Sequence, residues 1–83
     1  MARKKEKQGD KMRRKIYAFL VRYVTTNGFA PTVREIGAAV GLKSTSTVYS
    51  HLWKLEREGK IVMKGNSPRA IRLVGFEFRK VGD

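Results

Sequence analysis

The sequence predicts a mainly α fold, in which three helices precede a small β-hairpin. Apolar residues recur at three- and four-residue spacing in three stretches, which are separated by capping residues and glycines. After Gly59, apolar residues instead occupy every second position, the pattern of a strand. The 83 residues can bury one modest core. We therefore predict one domain at residues 10–74, with a basic flexible arm at 1–9 and a short tail at 75–83.

The first helix is predicted to begin at Asp10, whose carboxylate can cap it, and to end before Asn27 and Gly28. Its apolar face contains Met12, Ile16, Phe19, Leu20 and Tyr23. Residues 1–15 hold eight Lys or Arg and two acids, so the positive charge is concentrated in front of this helix. That concentration is the reason for predicting a separate basic arm.

The second helix is introduced by Pro31 and Thr32. Thr32 and Glu35 have the spacing of a capping box, and Gly41 is predicted to end the helix. Its apolar positions, Val33, Ile36 and Val40, lie on one side.

The third helix is predicted to start after a short turn through Leu42 and Lys43. Ser44 caps it and Gly59 ends it, and its inward residues are Val48, Leu52 and Leu55. The hairpin follows, because apolar residues alternate on either side of Gly65–Pro68, at Ile61 and Met63 and at Ile71 and Leu73.

Two helices joined by a short turn containing Gly form a helix-turn-helix unit, and a following hairpin makes it the winged form. The second helix of such a unit can enter the major groove of DNA. A rotation of about 100° per residue places the following residues opposite the core on the third helix: Ser46, Ser50, Trp53 and Arg57, with Thr47 and Tyr49 beside them. Short hydroxyl side chains let the backbone approach base edges. Helix capping is the alternative role for Ser44–Thr47, and it accounts for Ser44 but not for outward Ser46 and Ser50.

The charge balance points to a polyanionic partner. Nineteen Lys or Arg against seven acids give a net charge of +12, which favours nucleic acid or an anionic membrane. No apolar stretch approaches the roughly 20 residues of a membrane span, and no signal peptide follows the basic start. We therefore expect a cytoplasmic protein with no membrane partner.

The sequence predicts a protein that is not an enzyme and has no cofactor. It contains no cysteine, no glycine-rich phosphate loop and no nucleophile–base pair, and no small-molecule ligand is implied. His51 is the single histidine, so a packing or hydrogen-bonding role is predicted for it rather than a metal site.

Four stretches, GFAPTVREIGAAVGL, STSTVYSHL, LEREGKI and SPRAIRL, resemble the DNA-binding domain of LexA, the bacterial SOS-response repressor. The resemblance covers about Lys11 to Leu73. It implies a winged helix-turn-helix that binds a palindromic operator and represses transcription. It also implies that two copies could form a homodimer on DNA, and that the protein is associated with a bacterial or phage nucleoid. By motif position, it assigns base reading to Ser44, Ser46, Thr47, Tyr49 and Ser50.

The chain departs from the family pattern in three places. Trp53 lies where LexA-like sequences more often carry a small or charged residue, and the basic arm is longer than usual. Nothing after the final VGFEFRKVGD corresponds to the family's self-cleaving peptidase domain, so we expect a regulator that does not inactivate itself by cleavage.

Basic residues are the predicted contacts to the DNA backbone or minor groove: Arg34, Lys43, Lys54, Lys64, Arg69, Arg3, Lys4 and Lys5. Arg69 is the strongest of them, because it follows Pro68 at the predicted wing tip. For Arg34, the alternative is an ordinary solvated charge on the surface that does not contact DNA. For Trp53, stacking on DNA and a packing or dimer contact remain open.

An RNA-binding or ribosome-associated protein is the alternative function. RNA recognition commonly uses aromatic residues exposed on a sheet, and the chain lacks the corresponding motifs, although Phe76 and Phe78 keep this alternative open.

Overall fold

A computed structural model of the chain describes residues 8–64 and 69–75. The elements are α1 (Gln8–Asn27), α2 (Val33–Val40), α3 (Thr45–Arg57), β1 (Ile61–Met63) and β2 (Ile71–Leu73). The strands pair antiparallel, with Val62 opposite Arg72. The predicted fold class, three helices and a small hairpin, is confirmed. The predicted turn at Gly65–Pro68, residues 1–7 of the predicted arm and residues 76–83 of the predicted tail lie outside the described residues.

Helix α1 begins earlier than predicted. It starts at Gln8, so Asp10 lies in its first turn and is not its N-cap, and residues 8 and 9 belong to the helix and not to an arm. The Asp10 carboxylate accepts a hydrogen bond from Arg13 Nη2 at 2.7 Å. An acidic residue is favourable both as an N-cap and in the first turn, near the positive end of the helix dipole. The presence of Asp10 therefore did not determine at which residue α1 begins. At the other end, α1 includes Asn27, one residue beyond the predicted end.

Both ends of α2 have the predicted caps. The Thr32 hydroxyl accepts the Glu35 backbone N–H, the Glu35 carboxylate accepts the Thr32 N–H, and Gly41 ends the helix in the left-handed conformation at φ 80°. The Gly37 carbonyl accepts the N–H groups of Gly41 and Leu42, the latter at 2.8 Å. A Cβ on Gly37 would lie 2.8 Å from the Leu42 carbonyl oxygen. The turn between α2 and α3 therefore packs directly against the backbone of α2, a contact that the sequence analysis missed.

Helix α3 follows the prediction closely. The Ser44 hydroxyl caps it by accepting the Thr47 N–H, and Gly59 follows its C-cap with φ 78°. Val48, Leu52 and Leu55 are buried as predicted, and His51 is buried with them.

One apolar core joins the three helices and the hairpin. It consists of Ile16, Leu20, Val24, Ala30, Ile36, Val48, Leu52, Leu55, Ile61, Ile71 and Leu73. Met12 and Phe19, predicted for the inner face of α1, lie half-buried at its edge. Because Ile61, Ile71 and Leu73 complete this core, burial holds the hairpin against the helices.

Burial decides the protonation state of His51. The residue is 9% exposed, and its Nδ1 has no hydrogen-bond partner. Burial lowers the pKa of His51, and the positive charges of Lys54 and Arg13 lower it further. The side chain therefore packs in its neutral form.

Within residues 8–64 and 69–75, no helix has the length and apolar composition of a membrane span. The same part of the chain holds no group of three His, Cys, Asp or Glu residues placed to bind a metal ion.

We predict that Gly37→Ala destabilises the fold by about 1–3 kcal/mol, because the new methyl group forces the Leu42 carbonyl, a backbone atom, to move. Urea unfolding followed by circular dichroism measures this change. Gly9→Ala is the matched control, since nothing lies within 4 Å of its new Cβ. The control should be neutral or stabilising by up to about 1 kcal/mol. Equal effects of the two substitutions would contradict the close contact at Gly37.

A second prediction concerns pH. The folded-state pKa of His51 lies below its ordinary value of 6.5, so the unfolded chain binds the proton more readily. The stabilising contribution of neutral His51 is therefore present above the unfolded-state pKa of 6.5, and it is lost as the pH falls through 6.5 toward the lower folded-state pKa. We expect the free energy of unfolding to decrease between about pH 7.5 and about pH 5.5, a range in which histidine is the side chain that ordinarily titrates. His51→Leu should flatten this dependence, and an unchanged slope would contradict the assignment.

Candidate nucleic-acid interface

The outward strip of α3, defined as Ser46, Ser50, Trp53 and Arg57, is exposed along its whole length. It lies opposite the buried face of the helix, as the helical rotation predicts. Thr47 and Tyr49 border the strip and are also exposed. Short hydroxyl groups therefore occupy its first half, and a large aromatic and a cation occupy its second half.

The five predicted base-reading residues lie at the N-terminal half of α3. Ser44 Oγ is 3.4 Å from the Thr47 backbone nitrogen and caps the helix. The other four, Ser46, Thr47, Tyr49 and Ser50, have exposed side chains on the first two turns. The structure therefore brings the predicted residues together on one surface.

The start of α2 and the start of α3 border a common open groove. Its lining residues are Thr32, Val33, Arg34, Thr45 and Tyr49. Arg34 is exposed at this groove, and Lys43 is exposed in the turn between the two helices. These two cations therefore lie beside the N-terminal end of the outward strip, where a DNA backbone passes a groove-entering helix.

The acidic side chains of the described residues are all engaged within the chain. Asp10 and Glu58 pair with Arg13 at 2.7 and 3.1 Å. Glu56 accepts the Met63 N–H at 3.1 Å, and Glu35 pairs with Arg69 at 3.0 Å. The outward strip itself contains no acid. A polyanion approaching it would therefore meet Lys43, Lys54 and Arg57, while the carboxylate of the neighbouring Glu56 is engaged with the Met63 N–H.

Arg69 does not extend freely from the wing. The sequence predicted a contact between this residue and phosphate or the minor groove, but its guanidinium points back onto the helices. Nη1 lies 2.8 Å from the Ala30 carbonyl oxygen and 3.0 Å from Glu35 Oε1, and Nη2 lies 3.3 Å from Glu35 Oε2. The guanidinium also covers the Phe29 ring at 4.8 Å from its centroid. Internal acceptors therefore hold the Arg69 guanidinium, and its contact with DNA stays a prediction.

Glu35 is the centre of this arrangement, which we call the Glu35 cluster: Tyr23, Ala30, Thr32, Glu35 and Arg69. Glu35 Oε1 accepts the Thr32 N–H at 2.7 Å and the Tyr23 hydroxyl at 3.4 Å, in addition to the bond from Arg69. The bond from the Thr32 backbone lowers the pKa of Glu35 most, followed by the bond from Arg69. Glu35 in turn raises the pKa of Arg69. The cluster thus joins α1, the start of α2 and the start of β2 through charged hydrogen bonds.

The sequence that forms these helices and most of the hairpin matches a known family. A sequence model of the LexA DNA binding domain matches residues 10–70, which is well over half of the chain. The chain belongs to the LexA DNA-binding domain family. Similar proteins are the LexA repressors of Staphylococcus epidermidis, 45% identical over 71 residues, Clostridium perfringens, 44% over 68, and Staphylococcus aureus, 48% over 64.

These alignments cover most of this chain and a minor part of each relative. They take in 86%, 82% and 77% of the chain, but 34%, 34% and 31% of the relatives. The chain therefore spans about a third of the length of the LexA repressors that it matches.

Five further cations were predicted as DNA contacts. Lys54 and Lys64 are exposed, Lys54 beside the outward strip and Lys64 directly after β1. Arg3, Lys4 and Lys5 lie outside the described residues.

Sequence reasoning missed the Glu35 cluster. Glu35 was interpreted only as half of a capping box, and Arg69 only as a DNA contact. A usable signal was present, because opposite charges occur in two of the LexA-like stretches, PTVREI and SPRAIRL. Their separation of 34 residues gives no local pattern, so the pairing becomes visible only in the fold.

We predict that Arg69→Ala speeds amide hydrogen exchange of Lys64, whose N–H donates to the Ala70 carbonyl at 3.2 Å, because the contacts that hold the segment before β2 are lost. The capped Glu35 amide should stay protected, since the Thr32 hydroxyl still accepts it at 3.1 Å. Arg72→Ala is the control, because Arg72 is exposed on the same strand. In a double-mutant cycle, the destabilisations caused by Arg69→Ala and Glu35→Ala should be less than additive. Simple additivity would show that the two residues act independently.

Proposed function

We propose that this chain is a sequence-specific, double-stranded DNA-binding regulator of transcription, acting as a LexA-like repressor. The observation that carries this proposal is the outward strip of α3, where exposed hydroxyl side chains stand among cations on the second helix of a LexA-type helix-turn-helix. A helix with these properties can enter the major groove. Binding at a promoter would exclude polymerase, and no catalytic step by these residues is required.

In this proposal, the first two turns of α3 read the bases. Ser46 and Ser50 face outward, and their hydroxyls can donate to or accept from base edges. Thr47 and Tyr49 border the same surface and contact the adjacent base pair or phosphate. Ser44 stands at the cap, so its part in reading is subordinate to holding the helix start.

The exposed cations supply affinity that does not depend on sequence. Arg34 and Lys43 flank the start of α3, Lys54 flanks its second half, and Lys64 lies on the wing. Neutralising phosphates releases counterions, which makes this part of the affinity dependent on salt. Arg3, Lys4 and Lys5 would add to it from the basic arm. Arg69 serves instead to position the wing.

Two copies on one face of a palindrome would supply specificity that one small domain lacks. Half-sites about 34–36 Å apart, one helical turn, allow two bound copies to lie side by side. The first copy raises the local concentration of the second, so weak contact between the copies is sufficient. We place this activity in the bacterial cytoplasm, on the chromosome or on phage DNA.

RNA binding is not supported as the alternative. The family match is to a DNA-binding domain, and the sheet has two strands of three residues without an exposed aromatic in the described part. The RNA modules that read single strands stack bases on such aromatics.

The direct test is selection of bound duplexes from a random pool. We expect an enriched palindrome that binds two copies per duplex, measured by mass in solution. Ser46→Ala, Thr47→Ala and Ser50→Ala should each change base preference, with losses on the order of 1–3 kcal/mol at a read position. Thr26→Ala, exposed at the end of α1, is the control. Unaltered preference in all three folded variants would refute the role of α3.

A separate prediction isolates the phosphate contacts. Arg34→Ala and Lys54→Ala should weaken binding to all duplexes alike, and each lost contact should reduce the slope of log affinity against log salt by about 0.9. Lys60→Ala is the matched control, because Lys60 Nζ lies 3.6 Å from Glu58 Oε1 and over the ring of Tyr17 on α1. Slopes that fall equally in the control would show that overall charge, and not a contact, is responsible.

A further inference from the structure

Two aromatic side chains contact each other on the exposed side of α3. The ring centroids of Tyr49 and Trp53 are 5.9 Å apart, with 32° between the ring planes. Trp53 is 59% exposed and Tyr49 is 38% exposed. The pair is four residues apart, so successive turns of the helix place both rings on one surface. We call this surface the aromatic pair.

The aromatic pair is unlike the other large exposed apolar side chains of the described residues, which are Phe29 and Val74. Phe29 lies under the Arg69 guanidinium and is part of the surroundings of the Glu35 cluster. Val74 follows β2, and its N–H donates to the Lys60 carbonyl at 2.9 Å. The indole of Trp53, by contrast, leaves more than half of its surface in water on the same strip as Ser46 and Ser50. Exposed apolar area of this kind is unfavourable unless a partner covers it.

The surrounding charges identify the class of partner. Lys54 is the next residue, Arg57 lies one turn further on, and both are in the basic last turn of α3. No acid lies in the outward strip. Glu56, three residues after Trp53, accepts the Met63 N–H at 3.1 Å and is thus engaged within the chain. A second copy of this chain meeting the first symmetrically at Trp53 would bring the Lys54 and Arg57 charges of both copies together. A polyanion is the complementary occupant.

The major groove presents one apolar group on its base edges, the C5-methyl of thymine, and otherwise only donors and acceptors. We propose that the aromatic pair covers thymine methyl groups, so that α3 reads apolar as well as polar features of its site. This inference rests on the proposed function. Trp53 lies seven residues after Ser46, about 10 Å along the helix. The thymine is therefore expected in the same half-site as the position read by Ser46 but not at that base pair.

Replacing single thymines by deoxyuridine in the selected duplex tests the proposal, because it removes only the methyl group. One such replacement should weaken binding of the copy on that half-site about fourfold, the effect of exposing one methyl-sized group, and a replacement in each half-site should weaken binding of the two copies by about the square of that factor. Trp53→Ala should bind the thymine and deoxyuridine duplexes equally. Val74→Ala, which truncates another exposed apolar side chain, should keep the fourfold difference. Since Trp53 is the single tryptophan, its fluorescence should change on binding, and less with the deoxyuridine duplex.

The outcomes separate this inference from the proposed function. If base preference depends on Ser46 and Ser50 but no thymine position responds to loss of its methyl, the aromatic pair has another partner and only the inference fails. The same holds if Trp53→Ala keeps the wild-type discrimination, or if it dissociates a dimer that forms without DNA. If no duplex is enriched at all, both the function and the inference fail.

Discussion

The hydrogen bonds accepted by the Glu35 carboxylate fix how α1, α2 and the hairpin are placed relative to one another. The two oxygens of this carboxylate accept from the Thr32 backbone, the Tyr23 hydroxyl and both Nη atoms of Arg69. One side chain therefore fixes the first turn of α2, the end of α1 and the start of β2. A guanidinium matches a carboxylate in this two-point geometry, whereas a lysine would supply one point of charge. Exposed ion pairs add little stability, so the contribution of this contact is to orientation.

The acidic side chains of the described residues are engaged within the chain, whereas the cations are in excess and most of them remain exposed. In the described residues, each of the four acidic side chains accepts a hydrogen bond or pairs with a cation of the chain. The net charge of +12 therefore lies on the surface of the domain. It attracts polyanions, but repulsion between the positive charges also destabilises the compact state. The small apolar core must outweigh this repulsion, which is why every element, including the hairpin, contributes to it.

The sequence was sufficient for the features that depend on neighbouring residues. The Thr32–Glu35 capping box, the glycine at 41, the cap at Ser44 and the buried face of α3 are all local patterns, and the structure has each of them. The start of α1 was misplaced because Asp10 is favourable at more than one position of a helix end. The site was predicted as a set of α3 residues, but the inward turn of Arg69 was not, since its partners Ala30 and Glu35 lie 39 and 34 residues away.

A two-stranded hairpin with strands of three residues is not stable by itself, so the wing must be held by what surrounds it. Two hydrogen-bonded contacts hold it near the turn end: Glu56 on α3 accepts the Met63 N–H of β1, and Arg69, just before β2, pairs with Glu35 of α2. Ile61 and Ile71 are in addition buried in the core. The wing, α2 and α3 therefore behave as one body with a fixed mutual orientation. A surface ordered before contact loses less conformational entropy on binding, so this small domain can direct more of its few contacts into affinity and discrimination.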